Sequence, residues 1–254
     1  MDFKRPCIID HMQFDSEVLR LTDDVTQQLN SKYGLQCSPN LAPLVFAIYN
    51  TSRSKFDIAQ CGVYEGATLL GIAETCRFLG LDAHIYGFDS FDGFPKNIDC
   101  DYDKPMYFKT LMSEGKIDKA HYDQAFIRTS AFTNDSHLDK TYFSIDKEKL
   151  LQRVATYNNI TLIDGDFDRT LSAFRESIDL LHLDCDLYMS YCTSLTNLYP
   201  LLSSQGRVVF DEYYSLKYPG AREAVNRFFK ERSSEGVFLR FRHGDFERWL
   251  LKKH

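Results

Sequence analysis

Short apolar runs alternating with amphipathic helical stretches assign this 254-residue chain to the α/β class, with a doubly wound, mostly parallel sheet. Three observations carry that assignment. Runs of five to seven residues, apolar enough to be buried strands, recur along the chain and end in Gly or Asp. Stretches with apolar residues at helical spacing separate them. The last two runs instead face each other across a short polar turn, as an antiparallel hairpin does.

Residues 1–54 read as an N-terminal helical cap. Breaks are expected at Ser38-Pro39 and Ala42-Pro43, because a residue before proline is steered away from helical geometry. Phe56 to Gly62 is the first strand. In the following helix, Thr68 to Leu79, the side chains of Leu69, Ile72, Ala73, Cys76 and Leu79 share one stripe, and Gly80 stops it. Ala83 to Asp89 is the second strand. Residues 95–142 are polar, aromatic and irregular, too long for an ordinary connection, and read as a substrate lid. A helix carrying Leu150, Leu151, Val154 and Tyr157 leads into the strand Ile160 to Asp164. Ile178 to Asp184 and Arg207 to Asp211 follow, separated by a helical stretch around Leu195 to Leu202. Gly236 to Arg242 and Phe246 to Leu251 flank His243-Gly-Asp245 as the hairpin expected to close the sheet's edge. The expected organisation is one domain over 1–254, with the cap at 1–54, the core at 55–94 and 143–254, and the lid at 95–142.

Composition narrows the function. Apolar residues make up 44% and charged residues 26%, as in ordinary globular proteins. The net charge is −6, from 30 basic and 36 acidic side chains, and no basic block suits a polyanion, so no nucleic-acid partner is expected. The longest strongly apolar run, Leu44 to Tyr49, falls far short of the ~20 residues that span a bilayer. A cytoplasmic protein is expected. Seven cysteines are scattered with no C-x-x-C pair, which argues for reduced, mostly buried thiols rather than a disulfide or zinc framework.

Ligands of doubly wound sheets bind outside the carboxyl ends of the strands, and here five strands end in Gly62, Asp89, Asp164, Asp184 and Asp211. Gly62 and Gly66, within Cys61-Gly-Val-Tyr-Glu-Gly-Ala-Thr68, allow a tight turn and close approach of a ligand to the backbone. The segment is neither G-x-G-x-x-G nor a P-loop, so a phosphate cradle is not supported. Asp89 lies 27 residues after Gly62 and suits a ribose hydroxyl pair, such as NAD and S-adenosylmethionine both present. Asp184, Asp186, Asp211 and Glu212 end adjacent strands and place four carboxylates together. Such a cluster is either a solvated acidic rim or an oxygen-only site for Mg²⁺, Mn²⁺ or Ca²⁺.

Several segments in order resemble one known family: Gly62 to Thr68, Phe88-Asp-Ser-Phe-Asp-Gly-Phe-Pro95, Gly165-Asp-Phe-Asp-Arg-Thr-Leu171 and Leu183-Asp-Cys-Asp-Leu-Tyr188. Leu195-Thr-Asn-Leu-Tyr-Pro-Leu-Leu, Gly206 to Asp211 and Pro219-Gly-x-Arg-x-Ala-Val225 complete the series. Over about residues 56–252 the chain is similar to the macrocin O-methyltransferases, metal-dependent sugar O-methyltransferases of antibiotic and polysaccharide pathways. The resemblance implies a class I methyltransferase (Rossmann-like) fold with seven strands, S-adenosylmethionine and Mg²⁺ as cofactors, a small-molecule or glycan acceptor, and a homo-oligomer, a dimer. By position, Gly62, Tyr64, Glu65, Gly66 and Thr68 would face the methionine part of the cofactor. Asp89, with Ser90 beside it, would hold the ribose, Gly165, Asp166 and Phe167 would border the adenine, and Asp184 would lie against the cofactor.

Asp184, Asp211 and Glu212 match the metal ligands, and Asp186 matches a general base, with His121 or His137 of the lid as alternatives. Three residues depart from the family pattern: Cys185 replaces a Gly, Asp166 an aromatic residue, and the metal pair is Asp-Glu rather than Asp-Asp. A methyltransferase of catechol-like diols would share these motifs. A dinucleotide-dependent oxidoreductase lacks its glycine fingerprint here, and a non-catalytic binding module would have no need of the four carboxylates.

Overall fold

A computed structural model describes residues 7–37, 40–95, 100–130, 145–243 and 246–254. Eight strands form one sheet: β1 (Cys7–Met12), β2 (Lys55–Cys61), β3 (Asp82–Asp89), β4 (Ile160–Asp164), β5 (Ile178–Leu183), β6 (Leu202–Phe210), β7 (Gly236–His243) and β8 (Phe246–Lys253). Their order is β1-β7-β8-β6-β5-β2-β3-β4. β2 through β6 run parallel, β8 is antiparallel to both β6 and β7, and β1 is parallel to β7. From β2 the chain winds outward through β3 and β4, then crosses to β5 on the other side. The β2/β5 pair is therefore the switch point at which such sheets open a crevice.

Helices cover both faces. On one, α1 (Ser16–Tyr33), α2 (Leu41–Tyr49), α3 (Ala67–Phe78) and α6 (Lys147–Val154) bury Val25, Leu29, Leu44, Ile72 and Leu150 against Ile58, Ile85, Leu180 and Val209. On the other, α7 (Phe167–Ala173), α8 (Tyr188–Leu198) and α9 (Pro219–Phe229) bury Leu171, Tyr191, Leu195 and Phe229 against Ala59, Leu181, Val208 and Phe210. Within the 95–142 insertion, α4 (Tyr107–Ser113) and α5 (Lys119–Ser130) pack Phe108, Leu111, Ile117 and Ala125 into a small cluster against Leu216.

The sheet departs from the seven-strand expectation. The cap is not wholly helical, because Cys7–Met12 pairs with β7 and adds an eighth strand. That pairing also removes the hairpin from the edge, which β1 occupies instead. Asp10 anchors it through an ion pair with Arg240 of β7. Ala42-Pro43 is no break: Pro43 lies in the first turn of α2, where its missing N–H has no intrahelical acceptor to lose. Ser38-Pro39 falls outside the described residues. The insertion is partly helical rather than irregular, and the helix expected around Leu195 to Leu202 starts at Tyr188, with Leu202 already opening β6. All seven cysteines are free. Among the described residues no helix is long and apolar enough to cross a membrane.

Candidate active site

The sheet's hydrogen-bond ladder runs one residue past the strand ends, and that fixes the candidate residues in a row. Gly165 N–H donates to Asp89 O at 3.0 Å, Gly62 to Phe88 O, Asp184 to Cys61 O and Asp211 to Leu183 O, each of these three at 2.9 Å. The backbones at the β2 and β5 ends approach so closely that a Cβ on Gly62 would sit 1.7 Å from the Asp184 carbonyl oxygen. Only glycine fits there, and its φ of +88° is one that glycine alone adopts without cost.

Above this row lies a cavity of about 1300 Å³. Its wall contains Gly62, Tyr64, Thr68, Asp89, Ser90, Gly165, Asp166, Phe167, Asp184, Asp186, Asp211 and Glu212. Glu65 and Gly66 lie outside it. The Glu65 carbonyl accepts Arg153 Nη1 at 2.9 Å, and a Cβ on Gly66 would meet Leu150 Cδ1 at 2.5 Å, so both serve the turn's packing. Asp164, the remaining strand-end acid, also lies outside and pairs with Lys147.

Asp89 shapes the loop that follows β2. Its Oδ2 accepts Val63 N–H at 2.7 Å and Tyr64 N–H at 3.0 Å, and its Oδ1 accepts Phe91 N–H at 2.8 Å. A carboxylate offers about four acceptor sites, so roughly one remains for a ligand hydroxyl. Tyr64, Phe91 and Asp186 all take left-handed backbone conformations, at φ of 50°, 54° and 59°. Strain of this kind collects where surrounding structure holds side chains for a purpose.

The acids converge next to that loop. Asp184, Asp211 and Glu212 each offer a carboxylate oxygen, and these atoms lie within 4.8 Å of one another. Glu212 is 5% exposed and held from beneath: its Oε2 lies 2.7 Å from the Tyr191 hydroxyl and accepts Asp186 N–H at 3.4 Å. Desolvation, then the charges of Asp211 and Asp186, push the Asp184 carboxyl well above the usual carboxylate range. Glu212 is raised well above its ordinary value by the same causes. Asp186 is pushed up to about 7, first by burial and then by Asp211. Oxygen donors packed this closely fit a small hard cation, and the cluster contains no His or Cys that would favour zinc.

The histidine alternatives fare differently. His121 is not in the cavity wall: it is 4% exposed, donates Nε2–H to the Ser215 carbonyl at 2.8 Å, and packs 4.1 Å from the Tyr214 ring centroid. Burial lowers its pKa to about 4. It is a pin beneath the loop, not a base in the cavity. His137 falls outside the described residues. The wall also holds residues that no sequence pattern marked, among them Asn40 and Arg248, from the two ends of the chain. The cavity lining also contains two aromatic pairs, Tyr214 with Phe246 and Tyr218 with Phe94.

The chain resembles known O-methyltransferases. The chain is 26% identical over 175 residues to mycinamicin III 3''-O-methyltransferase of Micromonospora griseorubida, covering 68% of this chain and 59% of that one. It is 29% identical over 97 residues to demethyldecarbamoylnovobiocin O-methyltransferase of Streptomyces niveus, 36% of each. The chain thus matches less than two thirds of the length of either relative. Among solved structures, the O-methyltransferase NovP superposes with a TM-score of 0.57 at 19% identity, over 84% of this chain and 79% of that one. The calicheamicin methyltransferase CalS11 does so at 0.55 and 18% identity, over 95% of each. These likenesses show a class I methyltransferase fold. The model of a methyltransferase domain family matches residues 59–213, more than half the chain and all of the rim from β2 to the start of the 211–218 loop, and to that family the chain belongs.

Proposed function

We propose that the chain transfers the methyl group of S-adenosylmethionine to a sugar hydroxyl of a glycoside or polysaccharide, assisted by Mg²⁺. The observation that carries this reading is the set of three carboxylates within 4.8 Å on the floor of the cavity, beside the Gly62 turn. Asp184, Asp211 and Glu212 would hold the cation. When bound, Mg²⁺ supplies Lewis acidity that lowers the pKa of a coordinated hydroxyl. S-adenosylmethionine supplies a methyl group already activated on a sulfonium.

The residues of this chain do the rest. Gly62 and the loop to Thr68 admit the methionine end of the cofactor against bare backbone, and the remaining acceptor site of Asp89 takes a ribose hydroxyl. Ser90 stands next to it, and Gly165, Asp166 and Phe167 border the adenine. Asp186 faces the same cavity and accepts the proton released from the acceptor hydroxyl. Holding that oxygen in line with the methyl at about 3–3.5 Å supplies much of the acceleration. The aromatic residues of the lining stack on the sugar, and α5 of the insertion, whose Arg128 lines the cavity, would cover it. The mycinamicin III relative is named for 3''-O-methylation, and that name supports a sugar rather than a catechol acceptor.

The test is a calorimetric titration with S-adenosylhomocysteine, with Mg²⁺ and again with EDTA, followed by methyl-transfer assays on glycosides and on catechols. Saturable binding and Mg²⁺-dependent transfer to glycosides are expected. No binding under either condition would remove the methyltransfer reading, and transfer to catechols alone would replace the sugar acceptor.

A further inference from the structure

Two residues from outside the matched segment 59–213, one before it and one after, meet at the acidic rim. Asn40 stands at the N-cap of α2. Asparagine is favoured there because its side chain can accept an N–H from the first helical turn. Asn40 does not: its backbone is already helical, at φ −70° and ψ −21°, and its side chain makes no capping bond. Its amide turns to the rim instead. Nδ2 donates to Asp211 Oδ2 at 3.2 Å, and Oδ1 accepts from Arg248 Nη2.

Arg248 lies on β8 one residue before Trp249, which pairs with Phe210, so the register sets it beside Asp211. It is 9% exposed, and its guanidinium carbon lies 4.2 Å from the Phe246 ring centroid. Its Nε has no hydrogen-bond partner among the described residues, which leaves a nearly buried guanidinium relying on the Asn40 amide. The proton assignment is then forced. A guanidinium only donates and an ionised carboxylate only accepts, so the amide oxygen must face Arg248 and the amide nitrogen must face Asp211. The reversed amide would set like against like at both ends.

We propose that Asn40 is a positioning residue for the cation site, holding the Asp211 carboxylate in one orientation, with Arg248 locking the amide that holds it. The proposal rests on the reading of the rim as a divalent-cation site. It makes the start of α2 and the C-terminal strand β8 part of that site.

Mn²⁺ titrated into the full chain, followed by calorimetry and by loss of the free-ion electron paramagnetic resonance signal, tests this without turnover. Asn40→Ala should weaken Mn²⁺ binding by about tenfold or more, the usual effect of removing a partner that orients a ligand. Affinity for S-adenosylhomocysteine should stay unchanged, which also shows that the variant is folded. Asn40→Ser keeps a good capping residue but loses the reach to Asp211, so it must weaken Mn²⁺ as alanine does; if it restores wild-type binding, the role was capping. Arg248→Met should also weaken binding, and the double variant should be no worse than Asn40→Ala alone. Tighter Mn²⁺ binding in Arg248→Met would mean that Arg248 acts only as a repelling charge, and would overturn the lock. Wild-type affinity in Asn40→Ala, with Asp211→Asn inactive in binding, overturns the positioning role and leaves the cation site standing. A wild-type chain that binds no Mn²⁺ overturns the reading beneath both.

Discussion

Glu212 and Glu223 are both almost fully buried, at 5% and 2% exposure, yet their carboxyls are displaced in opposite directions. Burial works upward on each. On Glu212 the charges of Asp211, Asp186 and Asp184 add to it, and the carboxyl is raised well above its ordinary value. On Glu223, Lys116 Nζ at 2.5 Å and Arg227 Nε at 2.6 Å outweigh it and hold the carboxyl low. The second glutamate belongs to the seam between α9 and the insertion, where the protein supplies its own counter-charges. The first belongs to the rim, where like charges are brought together by the sheet register. A region that pairs its charges internally is built to hold; one that brings three carboxylates within 4.8 Å beside a cavity is suited to a cation, as proposed above.

The sharpest way to break that contrast is to remove one rim carboxylate. Asp211→Asn should lower turnover by about 10³-fold, the several kcal/mol that a Lewis acid contributes. Affinity for S-adenosylhomocysteine should stay within a factor of about three. Methyl-transfer kinetics beside calorimetry give both numbers. Turnover near the wild-type level in this variant would show that the rim is only a solvated edge.

The same contrast has a stability side. For Asp184, Glu212 and Asp186 the folded-state pKa lies above the unfolded one, so folding favours their protonated forms. Their contribution is present at acid pH and lost as pH rises, for Asp186 through about 7. Without divalent cations the melting temperature should therefore fall as pH climbs from about 5 past 7, and Mg²⁺ should reverse the fall. At a hundred times its dissociation constant, a cation adds about 2.7 kcal/mol, or roughly 5–10 °C in a chain of this size. Asp184→Asn should melt higher than wild type in EDTA and gain little from Mg²⁺. Scanning fluorimetry across pH with and without the ion checks this, and a cation-insensitive wild-type curve counts against the site.

What the sequence reveals of these two regions follows from the range of the interactions. The rim is readable because an interior parallel strand such as β5, buried at every position, must be a largely apolar run that ends in a polar residue or Gly. Ile160–Asp164 matches its strand to the residue. β1 was not readable: Ile8 and Ile9 are each 47% exposed, and its partner β7 lies some 230 residues away, so no local periodicity marks it. Asn40 and Arg248 are separated by 208 positions and become neighbours only when β8 takes its place beside β6. No spacing marks Tyr191, whose hydroxyl supports Glu212 from a helix that begins before the stretch expected around Leu195 to Leu202. Inside the insertion, Asp103 and His121 carry no spacing signal because their partners, Tyr188 N–H and the Ser215 carbonyl, belong to other elements.

Breaking the seam instead of the rim should give a smaller and different effect. Glu223→Ala leaves Lys116 and Arg227 without their shared carboxylate. Both cations are partly exposed, so the cost should be about 1–2 kcal/mol rather than that of a fully buried pair. Arg222 Nη1 still donates to the Lys116 carbonyl at 2.5 Å, and Asp103 still accepts Tyr188 N–H at 2.8 Å, so the insertion stays attached but looser. Acceptor KM should rise several-fold while affinity for S-adenosylhomocysteine holds. Equal losses in cofactor and acceptor binding would mean that the seam supports the whole core rather than the acceptor side.

An effect no larger than that at the seam is expected at His121, and its sign is opposite to that of the rim. Its folded-state pKa is lowered to about 4 by burial, below the value near 6.5 in an unfolded chain. The neutral ring is the one that fits between Tyr214 and Phe108, with Nε2–H on the Ser215 carbonyl. Its contribution is present above about pH 6.5 and lost as pH falls through about 4, because the unfolded chain binds the proton more readily. A unit of displacement is worth about 1.4 kcal/mol, and movements that hydrate the charged ring hold its share to about 1–2 kcal/mol. His182, fully buried on β5 and also lowered to about 4, titrates in the same window, so the histidine part of the wild-type acid dependence belongs to both, with the raised acids opposing it. His121→Gln keeps an N–H donor for Ser215 but cannot charge. Stability of that variant should therefore start lower at neutral pH and fall less between pH 6.5 and 4, by the His121 share alone. An acid limb as steep as wild type would assign the whole effect to His182 and leave His121 a packing residue whose proton has no part in holding the loop.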